Sequence, residues 1–193
     1  MTSDWTSLDY VVVDIEGNGQ QPPDLVELAA VPIVNGIIGE PRSWLVQPDR
    51  PITHFARRIH GITNDQVQNA PLFGDIEADI RKILDTAALI GHNAHVDIAV
   101  LRAKLGDWQC PEVLDTLKLA RRLLPGLDGY KLGTLVETLD LADGLDSALT
   151  PHRATYDALV TARLFVHIAT DRTLDELRNL PPGGVDDDEP TLF

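Results

Sequence analysis

One cysteine, one methionine and an aromatic share of 5% are all that 193 residues hold of those types. With Cys110 alone there is no intrachain disulfide framework and no cysteine-rich zinc site, and a reducing compartment is expected. Positive charge is scarce too. Sixteen Lys and Arg face 30 Asp and Glu, giving a net charge of −14 that opposes long-range attraction to nucleic acid or anionic membranes. Four of those acids, Asp186, Asp187, Asp188 and Glu189, cluster near the C-terminus and leave −10 for the remainder. No apolar run approaches the roughly 20 residues of a membrane span, and the start Met1-Thr2-Ser3-Asp4-Trp5 lacks the basic-then-apolar order of a secretory signal. A cytoplasmic protein that makes no membrane contact is expected. Internal repeats are absent.

What is present is a hydrophobic share of 44%, enough in a chain of this length for one well-buried domain. Residues 9–15, 26–34 and 37–46 read as strands, the last two joined by the hairpin signal Asn35-Gly36. Short apolar strands are expected at 87–91 and 113–114. Apolar spacing predicts helices at 73–84, 96–105, 116–124, 131–139 and 155–170, with short helices and turns between 51 and 69. A three-stranded meander followed by alternating strand and helix predicts a mixed sheet covered by helices, an α/β layered domain. The composition changes after Leu180 to Pro181-Pro182-Gly183-Gly184 and then to acids, so a domain over 1–180 and a disordered tail over 181–193 are expected.

Chemistry enters with Val11-Val12-Val13-Asp14-Ile15-Glu16-Gly17. Residues i and i+2 of a strand point to the same face, so Asp14 and Glu16 emerge together at the end of a buried strand, beside the permissive turn Gly17-Asn18-Gly19. Two such carboxylates repel each other unless a cation lies between them. Asp97 falls in the first turn of the helix after the fourth strand and aims at the same rim. A zinc site from His92, His95 and Asp97 is a weaker alternative, because His92 finishes a strand where His95 starts a helix. Five residues of helix turn through about 500°, so His152 and Asp157 share one site only if His152 lies in the loop or frayed first turn, as Thr150-Pro151 allows.

Asp14-x-Glu16, His92-Asn93-Ala94-x-x-Asp97 and His152-x-x-x-x-Asp157 together resemble the DEDDh branch of the DnaQ-like 3′-to-5′ exonucleases, over residues 9–172. Glu27-Leu28, Ile59-His60-Gly61-Ile62-Thr63 and Asp115-Thr116-Leu117 add to the likeness. The tyrosine branch would place Tyr where Arg153 stands. The first motif departs from the usual Thr-Thr-Gly-like turn, with Gly17-Asn18-Gly19 in its place.

The resemblance implies a ribonuclease H-like mixed five-stranded sheet in a single domain. It also implies phosphodiester hydrolysis with two Mg2+ or Mn2+ ions held by Asp14, Glu16, Asp97 and Asp157, with Asp14 shared between them and His152 as general base. Gly17, Asn18, His60 and Asn93 are the expected substrate contacts, with basic help from Arg102, Lys104 or Arg153, and the 3′ ends of single-stranded DNA or RNA are the expected partner. Two alternatives stay open: a non-catalytic nucleic-acid-binding or proofreading accessory domain, and a metal-dependent hydrolase of nucleotides and very short oligomers. The terminal Thr191-Leu192-Phe193 looks like the end of peptides that dock on a replication sliding clamp.

Overall fold

The computed structural model describes residues 4–86 and 88–178. The strands in chain order are β1 (Tyr10–Gly17), β2 (Leu25–Val34), β3 (Ile37–Ile38), β4 (Arg42–Leu45), β5 (Ala88–Gly91) and β6 (Glu112–Asp115). The helices are α1 (His54–His60), α2 (Asn64–Val67), α3 (Phe73–Leu84), α4 (His95–Leu105), α5 (Thr116–Leu123), α6 (Leu132–Thr138), α7 (Ala154–Ala169) and α8 (Leu174–Arg178). The acidic tail over 181–193, with its expected disorder and its clamp-like end, lies outside the described residues. No helix among the described residues is long and apolar enough to cross a membrane.

Strand β1 is central. It pairs antiparallel with β2, through Val12↔Val31, and parallel with β5, through Val12↔Ile90, while β6 extends the parallel side. The order is β3-β2-β1-β5-β6, with β4 also on the free edge of β2. Where one outer strand over 37–46 is expected, two short ones occur, giving six strands in place of five. The break falls at Gly39-Glu40-Pro41, where proline has no N–H to give a ladder. Before it, β3 pairs with Ile33 and Val34; after it, β4 pairs with Glu27 to Ala30. Asn35 and Gly36 both take left-handed conformations, φ 51° and 76°, as a tight two-residue hairpin turn demands.

Strand alternation divides the core. Tyr10 and Val12 face a cluster with Leu119, Leu135, Ala158, Ala162 and Phe165, supplied by α5, α6 and α7. Val11 and Val13 face Ile80, Leu84, Ile98, Leu101 and Leu105, supplied by α3 and α4. Truncating a fully buried side chain such as Leu101 to Ala would cost about 2–5 kcal/mol. Helix α7 buries Ala154, Ala158 and Ala162 at four-residue spacing, and those small side chains let it lie close against the sheet. A third cluster of Val26, Ile52, Ala56, Ile62 and Val67 lies under α1 and α2.

Candidate active site

The division of the core decides which carboxylates meet. Tyr10 and Val12 point to the α7 side of the sheet, so Asp14 and Glu16, next in the same alternation, point there too. Helix α7 meets them with Asp157 in its first turn. One carboxylate oxygen from each of Asp14, Glu16 and Asp157 lies within 4.8 Å of the others. Among the described residues no ion pair or hydrogen bond reaches the Asp14 or Glu16 carboxylate.

Asp97 arrives from the opposite face. The β1–β5 ladder ends at Val12↔Ile90, and farther along β1 the N–H of Ile15 donates to Asp97 Oδ1 at 3.0 Å. Asp97 is thus fixed by the backbone between the two strand carboxylates, and it is only 7% exposed. Gly91 gives the room, because a Cβ there would come within 2.9 Å of Ala94 Cβ at the start of α4.

The charges of this group are unbalanced. Burial, then the carboxylates of Asp97, Asp157 and Glu16, hold Asp14 well above the usual carboxylate range. Burial, then Asp157, Glu27 and Asp97, push Glu16 up to about 9. Asp97 is raised to about 8, chiefly by burial and against the bond from Ile15. Asp157 is raised to about 6 by burial, against the nearby His152. A cluster of this kind at neutral pH retains protons or takes a cation, and its all-oxygen donor set fits magnesium or manganese.

His152 lies in the loop before α7 with φ 61°, and its N–H donates to Asp157 Oδ2 at 3.1 Å. The imidazole is exposed. The next residue, Arg153, is anchored on Glu27 of β2: Nε to Oε2 at 3.0 Å and Nη2 to Oε1 at 2.5 Å, while the Ala154 N–H donates to Oε2 at 3.0 Å. Glu27 stands opposite Glu16 in the β1–β2 register. The salt bridge therefore holds the loop that presents His152, and Arg153 is not the free cation expected to assist substrate. Lys104 is likewise engaged, with Asp24 and Asp49. Arg102 stands near the Cys110 thiol and offsets part of the rise that burial gives its pKa.

The four expected substrate contacts divide. Asn18 is fully buried. Its Oδ1 accepts from the N–H groups of Gln20 and Asp24, each at 3.0 Å, and its Nδ2 donates to the Arg50 carbonyl at 3.2 Å. That side chain shapes the turn and has no face for a ligand. His60 is buried as well, with Nδ1 accepting from the Ile62 N–H at 3.0 Å, so Nε2 carries the proton and donates to the Gly17 carbonyl at 3.2 Å. Burial lowers its pKa, and the neutral ring braces the end of β1. Gly17 and Asn93 stay partly exposed at the rim. Asn93 takes φ 64°, and its N–H donates to Asp115 Oδ1 at 3.1 Å. The zinc alternative has no geometric support, since the His92 ring bridges Thr116 Oγ1 and the Tyr130 carbonyl, each at 3.0 Å.

Three supporting acids escape sequence reasoning in their roles. Asp24 and Glu27 are buried, and Asp115 caps α5 while accepting from Asn93 and Ala94. Two acids flanking Leu25-Val26 in an otherwise apolar stretch were the available signal.

The fold and the acid cluster define a ribonuclease H-like nuclease domain. The sequence profile of the exonuclease family, RNase_T, matches residues 11–165, and the chain belongs to that family of DnaQ-like exonucleases. It is 38% identical over 157 residues to exodeoxyribonuclease 10 of Escherichia coli K12, covering 81% of this chain and 67% of that protein. It is 37% identical over 179 residues to the 3′-5′ exonuclease DinG of Bacillus subtilis, covering 89% of this chain but only 18% of DinG. Among solved structures, exonuclease X in complex with 5′ overhanging duplex DNA is similar with a TM-score of 0.70 and 36% identity, over 82% of this chain and 90% of that one. The nuclease domain of 3′hExo, a DEDDh family member bound to rAMP, shares the fold with a TM-score of 0.67 at 18% identity, over 86% and 95% of the two chains.

Proposed function

We propose that this chain is a 3′-to-5′ exonuclease acting on single-stranded DNA or RNA ends, with Asp14, Glu16, Asp97 and Asp157 holding two divalent ions, Mg2+ or Mn2+. The observation that carries the reading is the convergence of Asp14, Glu16 and Asp157 within 4.8 Å, with no ion pair or hydrogen bond to either strand carboxylate among the described residues. When bound, the ions would activate water and stabilise the leaving oxygen of a phosphodiester, which its own charge shields from attack.

His152 takes the proton of the attacking water. The residue is exposed in the loop before α7, and its N–H is tied to Asp157, which keeps it next to the carboxylates. The water oxygen bonds to phosphorus, the P–O3′ bond breaks, the leaving O3′ takes a proton from solvent, and a nucleoside 5′-monophosphate departs from a shortened strand with a free 3′-OH. Glu27 and Arg153 orient His152, while Asn18 and His60 hold the Gly17 turn against which the terminal nucleotide lies. Asn93 completes the rim on the β5 side.

The charge of −14 favours one further reading, a hydrolase confined to nucleotides and very short oligomers. Single-stranded DNA and RNA 20-mers labelled at the 5′ end, incubated with Mg2+ or Mn2+, separate the two. A ladder shortening from the 3′ end, slowed by a 3′-phosphate, is expected. Internal cuts from the outset would overturn the exonuclease reading, hydrolysis of dinucleotides alone would select the short-oligomer reading, and binding without hydrolysis would leave a non-catalytic domain.

A further inference from the structure

Near the site, most cations are already engaged by the protein: Arg153 by Glu27, Lys104 by Asp24 and Asp49, Arg50 by the carbonyls of Gln21 and Pro22. Helix α1 differs. It is tied at both ends to the turn that follows Glu16, with the Thr53 N–H donating to the Asn18 carbonyl at 2.9 Å and His60 Nε2 to the Gly17 carbonyl at 3.2 Å. The approach is close: a Cβ on Gly19 would come within 2.9 Å of Ala56 Cβ. With Ala56 and His60 buried beneath the helix, Phe55, Arg57 and Arg58 are exposed around its outer side. Phe55 is 53% exposed, and neither guanidinium has a hydrogen bond or ion pair among the described residues.

An aromatic ring left in water contributes little to the core, and two unpaired arginines in sequence stand out in a chain of net charge −14. Single-stranded nucleic acid is recognised by this combination, an aromatic face for a base and cations for adjacent phosphates. We propose that the outer face of α1 carries the single strand upstream of the terminal nucleotide, with a base stacked on Phe55 and phosphates on Arg57 and Arg58. The proposal rests on the exonuclease reading for the direction of the strand. It places the binding charge of this acidic protein on the helix that also braces the Gly17 turn.

The test compares KM for a dT 20-mer with KM for a dinucleotide, in the wild-type protein and in the variants Arg57→Ser/Arg58→Ser and Phe55→Ala. A dinucleotide is too short to cover α1. The KM advantage of the 20-mer should fall about 10-fold in the double variant, and the slope of log KM against log salt should flatten by about 1.4, from about 0.7 per single-strand phosphate contact. Phe55→Ala should reduce the same advantage about 5-fold or more, the lower range of one base–aromatic stack, without changing the slope. Arg57→Lys/Arg58→Lys should keep the wild-type slope. An unchanged 20-mer KM and slope in the double serine variant overturns the proposal. Should the wild-type protein hydrolyse neither substrate, the exonuclease reading fails alone, and anisotropy of a labelled dT 20-mer then decides: weaker binding by the double variant keeps the track, equal binding removes it. Normal oligomer binding together with loss of self-association in the variants would assign this face to a second copy of the chain.

Discussion

Two sets of acids stand side by side at one end of the sheet and are treated in opposite ways. Asp24 and Glu27, at the start of β2, are given cations and donors by the protein: Lys104 and the N–H groups of Leu25 and Asp49 for one, Arg153 and the Ala154 N–H for the other. Asp14 and Glu16, on the adjacent β1, receive no ion pair among the described residues, and mutual repulsion adds to burial in raising their pKa. Among the described residues, ion-pair partners go to the carboxylates that fasten loops and not to the two proposed to hold a divalent ion. A buried acid is thus classified by what neutralises it, and burial alone does not mark function.

The strongest way to break that contrast is to remove the uncompensated charges. Asp14→Ala, Glu16→Ala, Asp97→Ala and Asp157→Ala should each lower hydrolysis by about 10³-fold or more, as loss of an electrostatic element of the site does. Asp14→Ala and Glu16→Ala should also raise the melting temperature of the chelated protein, because repulsion is relieved. Wild-type turnover in any of the four, measured with Mg2+, would remove that residue from the ion-binding set.

A step smaller, His152→Ala should reduce kcat by about 10²- to 10⁴-fold, the range for a general base. Mn2+ affinity, read by titration calorimetry, should stay near the wild-type value. An unchanged kcat at saturating Mn2+ would assign proton removal elsewhere.

Glu27→Gln sharpens the comparison by reversing the sign. Here the chelated protein should lose stability, because the variant leaves Arg153 without its anion, whereas Asp14→Ala gains it. With the loop at His152 loosened, kcat should fall about 10- to 100-fold while metal affinity holds. A melting temperature that rises in Glu27→Gln as in Asp14→Ala would erase the distinction between the two sets.

The smallest effect is on pH. Raised folded-state pKa values mean that the native cluster binds more protons than the unfolded chain, so its favourable contribution is full below about pH 4. It is lost as pH climbs through about 6, 8 and 9, where Asp157, Asp97 and Glu16 ionise. Chelated protein should therefore melt progressively lower between pH 5 and pH 9, apart from other titrations, and added Mn2+ should recover most of the loss at the alkaline end. Equal melting temperatures across that window, with and without metal, would mean that solvent already screens the cluster.

Much of this was legible in sequence because it depends on local periodicity. Alternation along Val11-Val12-Val13 orders the two core faces and sets Asp14 and Glu16 on one of them, and Pro151 ahead of the last helix places His152 in a loop. The broken outer strand was only half legible: Gly39-Glu40-Pro41 in the middle of 37–46 marks a break, but it does not say which part of β2 each half joins. Nor were the roles of Lys104 and Arg153. Glu27 and Arg153 are 126 positions apart, and no short-range pattern says which acid a cation will meet. For the same reason Asn18 and His60 read as rim residues, although the turn they build draws both inward.

The bond from the Ile15 amide to Asp97 makes one backbone proton a built-in spectroscopic probe. Its donor belongs to the central strand and its acceptor to the carboxylate that would take an ion, so the amide resonance of Ile15 moves when Asp97 changes partner. Following that single cross-peak during a Mg2+ titration reports occupancy of the centre without substrate and without turnover. Amides of β3, paired with Ile33 and Val34 at the far end of β2, supply the silent reference.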